Sequence, residues 1–238
     1  AFDYILPTPV PDKGKILTQI SLFWFRFFGE KVKNHFLTDS VTEYPESLKK
    51  YAKILEKRSM LVRKTSVVPV ECVVRGYLSG SGWSDYKKTG TICGMKLPGG
   101  LVESAKLERP IFTPTTKAEE GHDMNISFEE LVGIVGENLA KKLRDLSIKV
   151  YEKGCEIAES KGIIIADTKF EFGVVDDEII IVDEILTPDS SRFWSKKLYK
   201  PGGVQDSYDK QIVRDYLNTL DWDKTYPGPE LPEFVADK

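Results

Sequence analysis

The stretch "IIIADTKFEFG" (residues 163–173) decides how this chain is read. Its β-branched opening marks a strand, and three charges, Asp167, Lys169 and Glu171, stand two apart within it. Residues two apart in an extended chain point to one face. The three charges therefore share one face, and Ala166, Thr168, Phe170 and Phe172 share the other. One face is suited to burial, while the other carries an acid, a base and an acid in a row.

Downstream, "VVDDE" joins this strand to "EIIIVDEIL", a hairpin pattern. With a three-residue turn over residues 176–178, Val175 faces Ile179 and Glu171 faces Asp183. Asp167, Lys169, Glu171 and Asp183 then form one surface, whose three carboxylates and one ammonium suit a hard divalent cation and the phosphates it bridges. Two directly opposed carboxylates are destabilising without such a cation. A two-residue turn would set Phe170 opposite Asp183 instead. A solvated sheet face with cross-strand ion pairs is the other reading of the same alternation.

Upstream, "VVRGYLSGSGW" (residues 73–83) delivers Arg75 and then Ser79, Gly80, Ser81 and Gly82. Small residues let backbone N–H groups approach an anion, and Arg75 can grip a carboxylate or phosphate with two donors. "FTPTTKAEEGHDMNIS" (residues 112–127) supplies Lys117 for a phosphate and Asp123 for a hydroxyl or cation. "LTPDSSRFW" (residues 186–194) supplies Asp189 for sugar hydroxyls, with Ser191 and Arg192 for phosphate oxygens. Each of these stretches also reads as an ordinary turn.

Around them the pattern is mixed. "ILTQISLFWFRFFGEKV" reads as a helix ended by Gly29, and "PESLKKYAKILEKRSML" as a second. "SDYKKTGTICGMKLPGGL" reads as loop. The strongest helical signal covers residues 127–162, opening on a Ser127/Glu130 capping box and ending near Gly162, as one helix or two. "SYDKQIVRDYLNTLDW" is a last helix. Helices mixed with hairpins indicate an α+β fold.

With 238 residues and a net charge of −3, the chain can bury a sizeable core and has no globally basic surface for nucleic acid. Three cysteines fit no zinc spacing, and two histidines argue against a histidine-rich metal site. No apolar run reaches membrane-spanning length, and a cytoplasmic setting is expected. Nothing resembles a Ser–His–Asp or Cys–His nucleophile. The residues point to an ATP-using transferase or ligase that works by positioning and charge neutralisation. A small-molecule kinase with a related Mg–ATP site, or a nucleotide-binding regulatory module without turnover, would use the same groups.

The blocks "VVPVECVVRGYLSGS", "IFTPTTKAEEGHDMNIS", "IIADTKFEFG" and "VDEILTPDSSRFW…QDSYDKQIVRDYL" resemble, in order and spacing, the SAICAR synthetase family of purine biosynthesis, in wording most like its monofunctional fungal-type members. The resemblance implies a two-lobed α+β fold with ATP in the cleft between lobes, residues 1–68 forming the N-terminal lobe and 69–238 the other. It implies joining of L-aspartate to carboxyaminoimidazole ribonucleotide through an acyl phosphate, with ATP and Mg²⁺. It implies Glu171 and Asp183 as metal carboxylates, Lys169 and Lys117 on the phosphates, and Asp167 beside them. Adenine would lie along the edge at Lys64–Val67, and Arg75, Ser79, Gly80, Ser81, Asp123, Asp189, Ser191 and Arg192 would meet the other substrates. A monomer with small-molecule partners only, neither nucleic acid nor membrane, is expected. The chain opens at "AFDYILPTP", past the Gly-Lys-x-Arg-Asp segment that covers the phosphates in the family, and stops before the family's C-terminal helix; the first strands of the N-terminal lobe are thus expected to be missing. Ser79 stands where the family more often has Thr, Ala or Gln.

Overall fold

The computed structural model describes residues 5–117, 124–208 and 210–236. A seven-stranded antiparallel sheet organises it. Its strands are β1 (Ser66–Val67), β2 (Val70–Tyr77), β3 (Lys106–Phe112), β4 (Thr115–Thr116), β5 (Ile163–Val175), β6 (Glu178–Val182) and β7 (Ser191–Ser195). The quoted strand, β5, is thirteen residues long and forms the spine. One of its edges pairs with β7 and then β6, the other with β2 and then β1.

Helices α1 (Lys13–Phe28), α2 (Gly80–Thr89), α3 (Phe128–Val135), α4 (Glu137–Ser160) and α5 (Lys210–Asn218) surround the sheet. Gly29 closes α1 at φ 49°. The capping box opens α3 with both bonds made: the Glu130 N–H donates to Ser127 Oγ and the Ser127 N–H to Glu130 Oε2. Gly136, at φ 82°, breaks the long helical signal into α3 and α4. The start of the segment expected to be loop is α2, whose Tyr86 is buried with Leu78, Ile92 and Leu107. Residues 45–61 form two separate four-residue helical turns rather than one helix.

The core lies between the sheet and α4. Phe170 and Phe172 of β5 are fully buried there with Val70, Cys72 and Val74 of β2 and Leu143, Val150 and Tyr151 of α4. Burying each such aromatic contributes roughly 1.5–3 kcal/mol. Trp24, Phe25 and Phe28 of α1 enter this same cluster, so the core is continuous across residue 68.

Two features depart from simple alternation. The β5–β6 hairpin turns on two residues, Asp176 and Asp177, both at positive φ (51° and 61°). Val182 therefore faces Glu171, and Asp183 does not. Asp183 instead leaves the strand at φ 63° and is exposed. The second is a bulge. The β5–β7 register shifts so that Arg192 faces Asp167 while Phe193 faces Ile165. The extra residue flips the side-chain order: Ile165 joins the main core, and Ala166 packs with Tyr77, Ile164 and Trp194 rather than with Phe170. Tyr151 holds the bulge, its hydroxyl 2.7 Å from the Ile165 carbonyl and 3.2 Å from that of Ala166. That hydroxyl occupies the space a Cβ at Gly76 would need, 2.2 Å away.

The outer edge of β6 is covered. The His35 N–H donates to the Ile181 carbonyl at 3.0 Å, and the Ile181 N–H to the Lys33 carbonyl at 2.9 Å.

Candidate active site

The three charges of β5 do share a face, and each meets an opposite charge from another part of the chain. In register, Arg75 of β2 and Arg192 of β7 flank Asp167. Arg75 Nη1 donates to Asp167 Oδ2 at 3.1 Å, and Arg192 Nη1 donates to the same oxygen. Ser79 Oγ donates to it as well, at 3.4 Å. Asp167 and Arg75 are 4% and 3% exposed, so this is a buried ionic row, not a solvated one. Arg75 Nε donates to Thr113 Oγ1 and Nη2 to Ser81 Oγ, both at 3.0 Å. Burial pulls its guanidinium below the ordinary value, against the Asp167 carboxylate, which holds it up. Arg75 thus lies beneath the site with each of its three nitrogens engaged. Arg192 is more exposed than Arg75 and lines the cleft above the row.

Further along the same face, Lys169 Nζ donates to Glu71 Oε1 at 2.6 Å. Thr115 Oγ1 lies 3.3 Å from the other oxygen of Glu71. Lys117 pairs with Glu171. Glu71 was absent from the residues expected from sequence. It stands four positions before Arg75 on β2, and the alternation that aligned the β5 charges would have aligned these two as well.

A cleft of about 630 Å³ opens over the Asp167 end of this face, lined by Glu71, Lys169, Asp189, Ser191 and Arg192 on one side and Ser79, Gly80 and Ser81 on the other. Gly80 sits at φ 56°, with Arg192 Nη2 2.2 Å from where its Cβ would be, so a side chain there would strain the backbone and push the Arg192 guanidinium aside. Ser79 is the N-cap of α2, but its hydroxyl serves Asp167 rather than the helix. The first-turn N–H groups at Gly80 and Ser81 stand at the cleft without a side-chain cap. In the "TPDSS" turn, Thr187 Oγ1 accepts from the N–H groups of Asp189 (3.2 Å) and Ser190 (3.3 Å). This fixes Asp189 at the cleft wall, where Lys13 of α1 pairs with it at 3.4 Å.

The other expected residues lie away from this cleft. Lys64 and Val67 are exposed beside or within β1, which pairs with β5 at Gly173, past Glu171. Asp183 is exposed after β6, near buried His35, whose ring burial pushes towards the neutral form and the Asp183 carboxylate and main chain push back. Asp123 lies outside the described residues. Among the described residues no group of three or more His, Cys, Asp and Glu side chains gathers as a metal cage. All three thiols are free and held protonated by burial, Cys72 at about 12 and Cys93 and Cys155 at about 11. Among the described residues no helix is long and apolar enough to cross a membrane.

Comparison with known proteins gives a consistent result. The family model described as SAICAR synthetase matches residues 1–229. The phosphoribosylaminoimidazole-succinocarboxamide synthase of Thermodesulfovibrio yellowstonii is 62% identical over 238 residues, covering 100% of this chain and 82% of that protein. The enzyme of the same name from Geobacter sulfurreducens is 59% identical, covering 100% and 81%. Among solved structures, a SAICAR synthase from Saccharomyces cerevisiae complexed with SAICAR superposes with a TM-score of 0.89 at 46% identity, covering 99% of this chain and 80% of that one. A type-2 SAICAR synthetase in complex with ADP gives 0.66 at 28% identity, covering 89% and 76%. The wording read as fungal-type is thus shared with bacterial relatives.

Proposed function

We propose a division of labour along β5 from one premise: the chain belongs to the SAICAR synthetase family. Its reaction is the ATP-dependent ligation of L-aspartate to the carboxylate of carboxyaminoimidazole ribonucleotide in purine biosynthesis, giving SAICAR, ADP and phosphate. In our reading the cleft at the Asp167 end takes the ribonucleotide and aspartate, and the Glu171 end takes ATP where residues 1–68 meet 69–238. The observation that carries this is the position of Lys169. It lies on the cleft wall between Asp167 and Glu171, on one strand face.

The imidazole carboxylate attacks the γ-phosphorus of ATP, forming an acyl phosphate and releasing ADP. The aspartate amine then attacks the acyl carbon, the C–O bond to phosphate breaks, and the amine proton passes to solvent. Lys169 and Lys117 offset charge on the transferring phosphoryl group. Asp167 works through others: it orients Arg192 toward a substrate anion from above and is itself held by Arg75 from below. Ser81, Gly80 and the α2 N-terminus add donors for the same anion, and Asp189 and Ser191 add polar contacts. Asp123 is assigned by the resemblance to the substrates, and the backbone near Lys64 and Val67, at the Glu171 end of the strand, to adenine.

Mg²⁺ suits this chain's residues. It is usually held by one or two carboxylates plus substrate phosphates rather than by an all-protein cage, and Glu171 with Asp183 is such a pair. Held by these carboxylates, it would supply positive charge that offsets the negative charge of the phosphates. In the hairpin the two carboxylates are not facing residues: Val182 faces Glu171, and Asp183 is exposed just after β6. A cytoplasmic monomer acting on free small molecules completes the reading.

The test is ATP turnover with the ribonucleotide, with and without L-aspartate. Ligase action requires phosphate release to depend on aspartate, and turnover indifferent to it would mean a kinase. In the same assay, Arg192→Ala is expected to raise the KM for the ribonucleotide more than that for ATP; equal increases would remove Arg192 from the substrate subsite.

A further inference from the structure

Beside its main-chain pairing with β6, His35 carries a buried ring. The residue is 7% exposed, and its ring lies against Phe25 of α1 with centroids 5.4 Å apart. Its Nε2 is buried with no hydrogen-bond partner among the described residues. An unpaired buried nitrogen is a cost that an apolar ring in the same place would avoid. The polar ring is therefore kept for its other nitrogen, and what the ring meets is Asp183. The Asp183 main chain accepts its hydrogen bond, and the Asp183 carboxylate acts on its charge. With Nε2 unpaired, the donor is Nδ1.

Asp183 needs such a hold. It sits at φ 63°, a left-handed backbone that non-glycine residues adopt singly and with local support. His35 can give that support because it is itself fixed. Its N–H donates to the Ile181 carbonyl at 3.0 Å, and its carbonyl accepts the Arg63 N–H at 2.7 Å.

Resting on the reading of Asp183 as a metal carboxylate, we infer that His35 is a positioning residue for the nucleotide's cation: its ring N–H pins the bend at Asp183 and so sets where that carboxylate stands. The ring touches no reacting atom. Groups that orient a ligating residue from behind govern metal affinity nearly as much as the ligand does. A carboxylate on a bend already held does not have to be ordered when the cation binds. The placement of a carboxylate in residues 69–238 thus depends on a side chain from residues 1–68. A ring kept only to pack on Phe25 would be replaced by phenylalanine without loss.

The experiment measures ADP affinity by calorimetry without metal, and Mn²⁺ binding to the ADP complex by electron paramagnetic resonance. It compares wild type with His35→Phe, His35→Asn, His35→Gln and Asp183→Asn. Phe keeps a ring against Phe25 and removes the N–H. Asn places its amide near the Nδ1 position, and Gln nearer that of Nε2. His35→Phe should weaken Mn²⁺ binding roughly tenfold or more, with metal-free ADP affinity within about twofold of wild type. His35→Asn should recover part of the loss and His35→Gln none; if His35→Phe fails to fold, these two decide alone. Wild-type Mn²⁺ binding in His35→Phe would overturn the inference. So would equal binding in the Asn and Gln variants, or an equal loss of metal-free ADP affinity. Unchanged Mn²⁺ binding in Asp183→Asn would instead overturn the reading of Asp183 as a metal carboxylate, so the two failures are distinct.

Discussion

The two ends of β5 use the same chemistry at different depths. At the Asp167 end an acid is buried between two guanidiniums, and at the Glu171 end Lys117, about one-third exposed, meets the acid. The difference is what each pair can release. A buried charge that loses its partner is left in a medium that solvates it poorly, so Arg75 and Asp167 behave as a scaffold beneath the more exposed Arg192. A pair with one partner in contact with solvent is worth about 1 kcal/mol. Lys117 and Glu171 can therefore part at little cost to the fold, as the proposed nucleotide site would require.

Five substitutions or measurements would break or sharpen that contrast. Asp167→Ala, the most severe, strands Arg75 without its counter-ion. A loss of about 3–5 kcal/mol in urea unfolding is expected, together with loss of turnover; a variant as stable as wild type would show the row to be dispensable. Tyr151→Phe leaves two bulge carbonyls without their hydroxyl donor and should cost roughly 1–2 kcal/mol. The KM for the ribonucleotide should rise while that for ATP holds, because the bulge aims Asp167. Glu171→Ala, at the shallow end, should lower stability by less than about 1 kcal/mol and abolish Mg²⁺-dependent ATP turnover, as should Asp183→Ala. Near-normal activity in either would remove that residue from the nucleotide end. Smallest of all is the effect of a thiol reagent at pH 8 on the native enzyme. With thiol pKa values raised by burial to about 11–12, little thiolate is present. Labelling should be slow at all three cysteines and fast only after unfolding; rapid labelling of Cys72 in the native state would contradict its burial.

Much of this contrast was legible in the sequence, because a strand's period is short and its consequences local. Alternation aligned Asp167, Lys169 and Glu171, and the Ser127/Glu130 box marked the start of α3. The hairpin register was not legible. Asp176 and Asp177 both adopt left-handed backbone, a two-residue turn more often written Asn-Gly or Asp-Gly. Read as a three-residue turn, it moved the second strand by one position. The bulge at Ala166 left no mark either, since it is produced by pairing with β7 and by the Tyr151 hydroxyl, far along the chain. Helix α2 was hidden by its Gly-Ser start, and packing of Tyr86 overrides that low propensity. Glu71 escaped for a simpler reason: its stretch reads as a buried strand, and its partner Lys169 lies 98 residues away.

The short pairing of residues 33–35 along β6 has a consequence beyond this site. An open sheet edge offers unpaired N–H and C=O groups as a template on which another chain can add a strand. Here the outward donor and acceptor of Ile181 are already taken by Lys33 and His35. A sheet whose ligand-facing side must stay open is in this way kept from recruiting its own copies along that edge.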